Sequence, residues 1–102
     1  MAELEREIEA YLGRELRAMG CLWYKFVSPG ARGVPDRILI LPDGKVLFIE
    51  LKAENGYLDP LQVRQIERLK SWGQQVRVIR GMDGAQKLVA GLVGRYGRRK
   101  RG

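Results

Sequence analysis

The sequence predicts a single α/β domain with the element order α-β-β-β-α-β-α and a central mixed sheet flanked by helices. Three observations carry this prediction. The chain has 102 residues, enough for one domain and too few for two. Two stretches near its middle, DRILIL and KVLFIEL, are apolar at both alternating sets of positions, as strands covered on both faces are. Segments with apolar residues at helical spacing lie before them, after them and again at the end.

Residues 3–19 carry Leu4, Ile8, Tyr11, Leu12, Leu16 and Met19 on one helical stripe, and Gly20 is a stop signal. CLWYKFV, residues 21–27, reads as a strand rich in aromatics. SPGARGVP, residues 28–35, is a loop, because its prolines and glycines break helix and sheet alike. The strands DRILIL (36–41) and KVLFIEL (45–51) follow, joined by Pro42-Asp43-Gly44. In residues 58–72, Asp59 is expected as N-cap and Pro60 as the first helical residue, with Gly73 ending the helix. QQVRVI (74–79) is the fourth strand. From Asp83 onward Ala85, Leu88, Val89, Leu92, Val93 and Tyr96 form one apolar stripe. One domain is expected over residues 1–97, followed by a basic tail at 98–102.

Composition narrows the function. At 45% apolar residues the chain is globular and not disordered. No run approaches the ~20 apolar residues that cross a membrane. The first stretch is acidic and periodic, unlike a signal peptide. The single cysteine, Cys21, cannot form an internal disulfide and fits a reducing compartment. A cytoplasmic protein, of a bacterial cell or a phage-infected host, is therefore expected. The absence of histidine removes the commonest general base and the commonest zinc ligand. Hydrolytic chemistry would have to rest on carboxylates, lysine and an oxygen-ligated metal. Nineteen Lys and Arg against twelve Asp and Glu give +7, which draws a chain to polyanions. Much of that excess sits in RYGRRKR, residues 95–101, and a plain solubility charge is the alternative.

The turn between the two middle strands fixes a register. Proline at the first loop position and glycine at the third suit a three-residue hairpin loop, a type I turn closed by a left-handed residue. Leu41 then pairs with Lys45, and Asp36 falls opposite Glu50. Ile38, Ile40, Val46, Phe48 and Lys52 share that face. Opposed Cβ atoms lie about 5 Å apart, so two like charges there need compensation. Either Lys52 or Arg37 neutralises the pair, or a divalent cation lies between both carboxylates. A two-residue loop would shift the register and set Leu51 opposite Asp36.

Asp36, followed fourteen residues on by Glu50-Leu51-Lys52, resembles the PD-(D/E)XK nuclease signature. The wider string KFVSPGARGVPDRILILPDGKVLFIELKAENGYLDPLQ resembles the virus-type replication-repair nuclease (VRR-NUC) family, from the first helix to the last strand. The family pattern is an acid on the first helix, G-x-P-D, E-x-K and a glutamine on the following helix. Here these are Gly33-Val34-Pro35-Asp36, Glu50-Leu51-Lys52 and Gln62. The helix acid is Glu5 or Glu9, one turn apart. Glu5 is favoured by its spacing from Ile8 and Leu12, while Glu3 and Glu7 read as solvent-facing.

The resemblance implies a restriction-endonuclease-like core and a catalytic set of Glu5, Asp36, Glu50, Lys52 and Gln62. It implies Mg²⁺ or Mn²⁺ held by Asp36, Glu50 and the main-chain carbonyl of Leu51, since hard oxygen ligands suit these ions, and no organic cofactor. Lys52 would orient water or meet the phosphate, a role compatible with an ion pair to Glu50. Gln62 has a competing reading as the reciprocal half of a capping box with Asp59, and Glu5 as an acid that favours the helix dipole. Arg32, Arg37 and the tail residues Arg98, Arg99, Lys100 and Arg101 are expected at the DNA backbone, and Lys25 is either a further phosphate contact or a plain exposed strand lysine. Trp23, Tyr24, Phe26 and Trp72 are expected in the core or at an interface. The implied activity is metal-dependent endonucleolytic cleavage of structured DNA, four-way junctions or flaps, leaving 5′-phosphates, by a homodimer. The alternative is an inactive module that binds branched DNA or RNA.

Overall fold

The computed structural model describes residues 5–97. In chain order these form α1 (Glu5–Ala18), β1 (Leu22–Lys25), β2 (Arg37–Ile40), β3 (Val46–Lys52), α2 (Pro60–Ser71), β4 (Gln75–Arg80) and α3 (Gly81–Tyr96). The order is the expected one. The sheet runs β1-β2-β3-β4, with the first three strands antiparallel and β4 parallel to β3. A parallel pair needs a long crossover, and α2 supplies it. Among the described residues no helix is long and apolar enough to cross a membrane.

The alternation of strand side chains sorts the two faces. Trp23, Leu39, Leu47, Ile49, Leu51 and Ile79 turn to one side, where they join Ile8, Leu12 and Leu16 of α1 and Ala85, Leu88 and Val89 of α3 in one core. Ile8, Leu12 and Leu16 have no exposure, and burying each such side chain stabilises by about 1.5–3 kcal/mol. The other face is covered unevenly. There α2 packs on β4, where Ile66 and Val76 are buried outside the main core. Among the described residues no helix covers the β1–β2 half of that face, and Leu22 and Tyr24 are 47% and 53% exposed.

The hairpin turn is the expected one. The Leu41 N–H donates to the Lys45 carbonyl and the Gly44 N–H to the Leu41 carbonyl, both at 2.8 Å. Gly44 closes the loop at φ 90°, a conformation glycine adopts without steric cost. Arg37 pairs with Ile49, so continuing the register by one residue brings Asp36 opposite Glu50.

Several boundaries move, β3 and β4 by a single residue. β1 is shorter than CLWYKFV, although the Phe26 N–H still donates to the Asp36 carbonyl at 2.8 Å. β2 begins at Arg37, leaving Asp36 just outside it. α3 starts at Gly81, two residues before Asp83, behind an extended Arg80 that makes no side-chain cap. Without a capping residue the sequence had nothing to mark that start. Trp23 is in the core, whereas Trp72 is 77% exposed. The tail residues Arg98, Arg99, Lys100 and Arg101 lie outside the described residues.

Candidate active site

A cleft of about 250 Å³ opens where the loop before β2, the end of β3 and the start of α2 meet. Asp36, Glu50, Gln62, Asp59 and Arg32 line it, so residues spread over 31 positions of sequence converge. Asp36 faces solvent from the loop end, with its side chain 53% exposed. Glu50 sits deep on β3 at 8% exposure. Burial pushes the Glu50 carboxyl up to about 7, the charge of Asp36 adds to that, and Glu5 and Asp59 push the same way. Lys52 opposes them. Its Nζ stands 3.8 Å from Glu50 Oε2, long for a tight ion pair.

Gln62 completes the expected capping box and also reaches Glu50. Its Oε1 accepts from the Asp59 N–H at 3.0 Å, and its own N–H donates to Asp59 Oδ1 at 2.9 Å, which completes the capping box. That leaves Nε2 free, and it donates to Glu50 Oε2 at 3.3 Å. An amide has an acceptor end and a donor end. The cap takes the first and so aims the second at the carboxylate.

Gly33 makes this approach possible. It holds φ +85°, and a Cβ there would lie 2.6 Å from the Leu61 carbonyl carbon and 2.9 Å from the Gln62 nitrogen. The loop that carries Asp36 therefore lies directly on the first turn of α2. Only glycine allows both that φ and that contact.

Arg37 corrects an expectation. Expected at the DNA backbone, it is 7% exposed and turned to the core side of the sheet. Its Nη2 donates to Glu9 Oε2, and its Nη1 donates to the Asp36 carbonyl at 3.0 Å and stands 3.3 Å from Asp36 Oδ2. The signal was present in the strand pattern, since Arg37 shares parity with Leu39 and Ile49, not with Glu50. Arg37 therefore clamps Asp36 to α1. Glu9 is engaged in that clamp, which leaves Glu5 as the α1 acid whose charge is felt at Glu50.

Lys25 is exposed at the end of β1, paired with Arg37 and outside the cleft lining. Leu51 has its side chain in the core, so only its main chain is available to a ligand. Asp59 was read only as a cap; it also lines the cleft and adds negative charge beside Glu50.

Among the described residues no group of three or more His, Cys, Asp or Glu side chains is placed to hold a metal. The two carboxylates nevertheless fit a hard divalent cation. They line one cleft, and the buried one is destabilised by the other. Their donor atoms are all oxygen, which suits Mg²⁺ or Mn²⁺.

Comparison with known proteins agrees with this geometry. A family model, the VRR-NUC domain, matches residues 4–83. The "Putative nuclease p44" of Acyrthosiphon pisum secondary endosymbiont phage 1 is 48% identical over 79 residues, covering 78% of this chain and 85% of the relative. A solved structure of a VRR-NUC domain superposes with a TM-score of 0.78 at 34% identity, over 84% of this chain and 94% of that one. Matched in motif, in sequence over most of its length and in fold, the chain belongs to the VRR-NUC nuclease family of the PD-(D/E)XK superfamily.

Proposed function

We propose that the chain is a Mg²⁺- or Mn²⁺-dependent endodeoxyribonuclease that hydrolyses phosphodiester bonds in structured DNA, four-way junctions or flaps, as a homodimer in the cytoplasm of a bacterial cell or phage-infected host. The observation that carries this reading is the carboxylate pair: Asp36 and Glu50 line one cleft, with Lys52 and Gln62 both on the buried acid. A nuclease domain over residues 1–97 and a DNA-binding tail at 98–102 complete the proposal.

Asp36, Glu50 and the Leu51 main-chain carbonyl would hold the ion. A divalent cation supplies a bound water of lowered pKa and neutralises charge on the scissile phosphate. The protein's own part is positioning. Arg37 holds Asp36 from behind, and Gln62 holds Glu50 from the side. The Lys52 ammonium, beside Glu50, stands ready to donate to a phosphate oxygen as charge develops there. Arg32, on the rim of an otherwise acidic cleft, meets the neighbouring backbone without reading sequence.

A gel assay on linear, flap and junction DNA with Mg²⁺, Mn²⁺ or EDTA tests the proposal. Metal-dependent cleavage is expected, with branched DNA preferred. Asp36→Ala, Glu50→Ala and Lys52→Ala should each abolish cleavage and leave much of the binding. Full activity in any of the three contradicts the assigned roles. Metal-independent junction binding with no cleavage would mean an inactive binding module, and preference for RNA an RNA-binding protein.

A further inference from the structure

The cleft that holds the carboxylates is poor in positive charge, with Arg32 against Asp36, Glu50 and Asp59. A second cleft, also about 250 Å³, has the opposite character. It lies between α3 and the far end of β3 and β4, and Lys45, Arg77, Lys87 and Arg95 line it without any carboxylate. Lys45 has Asp43 at 3.9 Å and Lys87 has Asp83 at 3.0 Å. Among the described residues no carboxylate lies within ion-pairing distance of Arg77 or Arg95. The rim is held in place, because the Tyr96 hydroxyl donates to Asp43 Oδ2 at 2.7 Å and fastens the end of α3 to the β2–β3 turn. Arg95 lies 5.5 Å from the Tyr96 ring centre on the same rim.

The position of this cleft matters as much as its charge. Five residues separate Lys45 from Glu50 along nearly extended chain, about 17 Å at ~3.3 Å each. The apolar floor, Leu41, Leu47 and Leu88, belongs to the α1–α3 core, whereas Glu50 faces the α2 side. The two clefts thus lie at opposite ends and on opposite faces of the sheet. Duplex DNA has a persistence length of about 500 Å, so one duplex at the carboxylates does not curl round so small a body into the second cleft.

We propose that the Lys45–Arg77–Lys87–Arg95 cleft is a second phosphodiester-backbone site, which takes a nucleic-acid arm other than the one being cut. This rests on the nuclease reading and deepens it: two backbone sites that one straight duplex cannot fill select for branched DNA. The contacts are to phosphate, so they add affinity and arm placement without base readout.

Binding is measured by fluorescence anisotropy in EDTA, so that nothing is cut, on a labelled four-way junction and on a linear duplex of equal length. The native chain is compared with the Arg77→Ala/Arg95→Ala pair, both exposed positions. For the junction, the slope of log affinity against log salt should become shallower by about 2, at ~0.9 per lost phosphate contact. For the duplex, which fills one cleft at a time, the change should be clearly smaller. An Arg77→Lys/Arg95→Lys pair keeps the charges and should restore the junction slope. No change on either DNA, or equal loss on both, overturns the proposal. Metal-dependent nicking of linear duplex by the alanine pair should match the native chain. A failed slope test alongside intact nicking would sink this cleft alone, and absent nicking with an intact slope difference would sink the nuclease reading alone.

Discussion

Glu50 concentrates the energetics of the site in one residue. Its carboxyl titrates near 7 in the folded chain against an ordinary 4.5, so the folded state holds a proton that the unfolded state has lost between those values. The Glu50 contribution to stability is therefore full below about pH 4.5 and is lost as pH rises to 7, by about 3 kcal/mol at most. The chain has no histidine to add a titration of its own near pH 6–7. Glu50→Gln should keep the neutral form at every pH and raise the metal-free melting temperature at pH 8 by roughly 5–15 °C, while removing most of the difference between pH 5 and pH 8. Thermal unfolding in EDTA across that range checks it; a native chain with a flat profile and a variant no more stable would show that Glu50 is not strained. Divalent cation should stabilise the native chain more at pH 8 than at pH 6, because the ligand must lose its proton to bind. Single residues were unevenly legible. The spacing of Asp36, Glu50 and Lys52 placed the two acids opposite each other with the lysine beside Glu50, because strand alternation and turn chemistry act locally. Arg37 was not legible in this way, because a buried arginine is rare unless paired, and its partner is a glutamate 28 residues away in sequence.

Elements meet at the site through backbone, and Gly33 is where they meet. A methyl there must both occupy φ +85° and intrude on the Leu61–Gln62 peptide. The left-handed conformation alone costs roughly 1–2 kcal/mol, and the neighbour is backbone that cannot rotate away. Gly33→Ala should therefore lower stability by more than about 2 kcal/mol in urea unfolding and shift the first turn of α2, carrying Gln62 away from Glu50. Cleavage should fall even where the variant remains folded. A substitution that costs nothing in either measurement would show that the loop does not rest on α2. None of this contact is readable from sequence, where Gly33 is simply a loop glycine, because it depends on how a loop and a helix 28 residues apart are brought together. What was readable was each element by itself. Pro42-Asp43-Gly44 has the chemistry of one turn type, and Asp59-Pro60 the chemistry of one helix start. The start of α3 has no such marker, and the helix begins at Gly81, two residues ahead of Asp83.

For the molecule as a whole, the sheet is finished on one side only. α1 and α3 cover the core face, and among the described residues α2 covers the other face over β4 and leaves β1 and β2 bare. Leu22 and Tyr24, with Ile38 and Ile40 half-buried beside them, make an apolar surface of the kind that soluble monomers rarely leave open. A second copy of the chain is the simplest cover for it under the proposed homodimer, since a two-fold contact buries the same patch on both partners. Leu22→Glu/Tyr24→Glu tests this cleanly. Both side chains are already exposed, so the folded chain should lose about 1 kcal/mol or less, whereas two buried glutamates per partner would be prohibitive in an interface. Light scattering after gel filtration should give the native chain about twice the mass of its 11.6 kDa and the variant a single copy. Each chain keeps its own carboxylate cleft, so the separated variant should still nick DNA in Mg²⁺. What it should lose is pairing of incisions: on a symmetric four-way junction the native chain should release two nicked duplexes in one encounter, and the variant should accumulate singly cut junctions. A native chain that is monomeric at concentrations where it cuts junctions in pairs would remove the dimer and leave the bare face without a partner in this reaction.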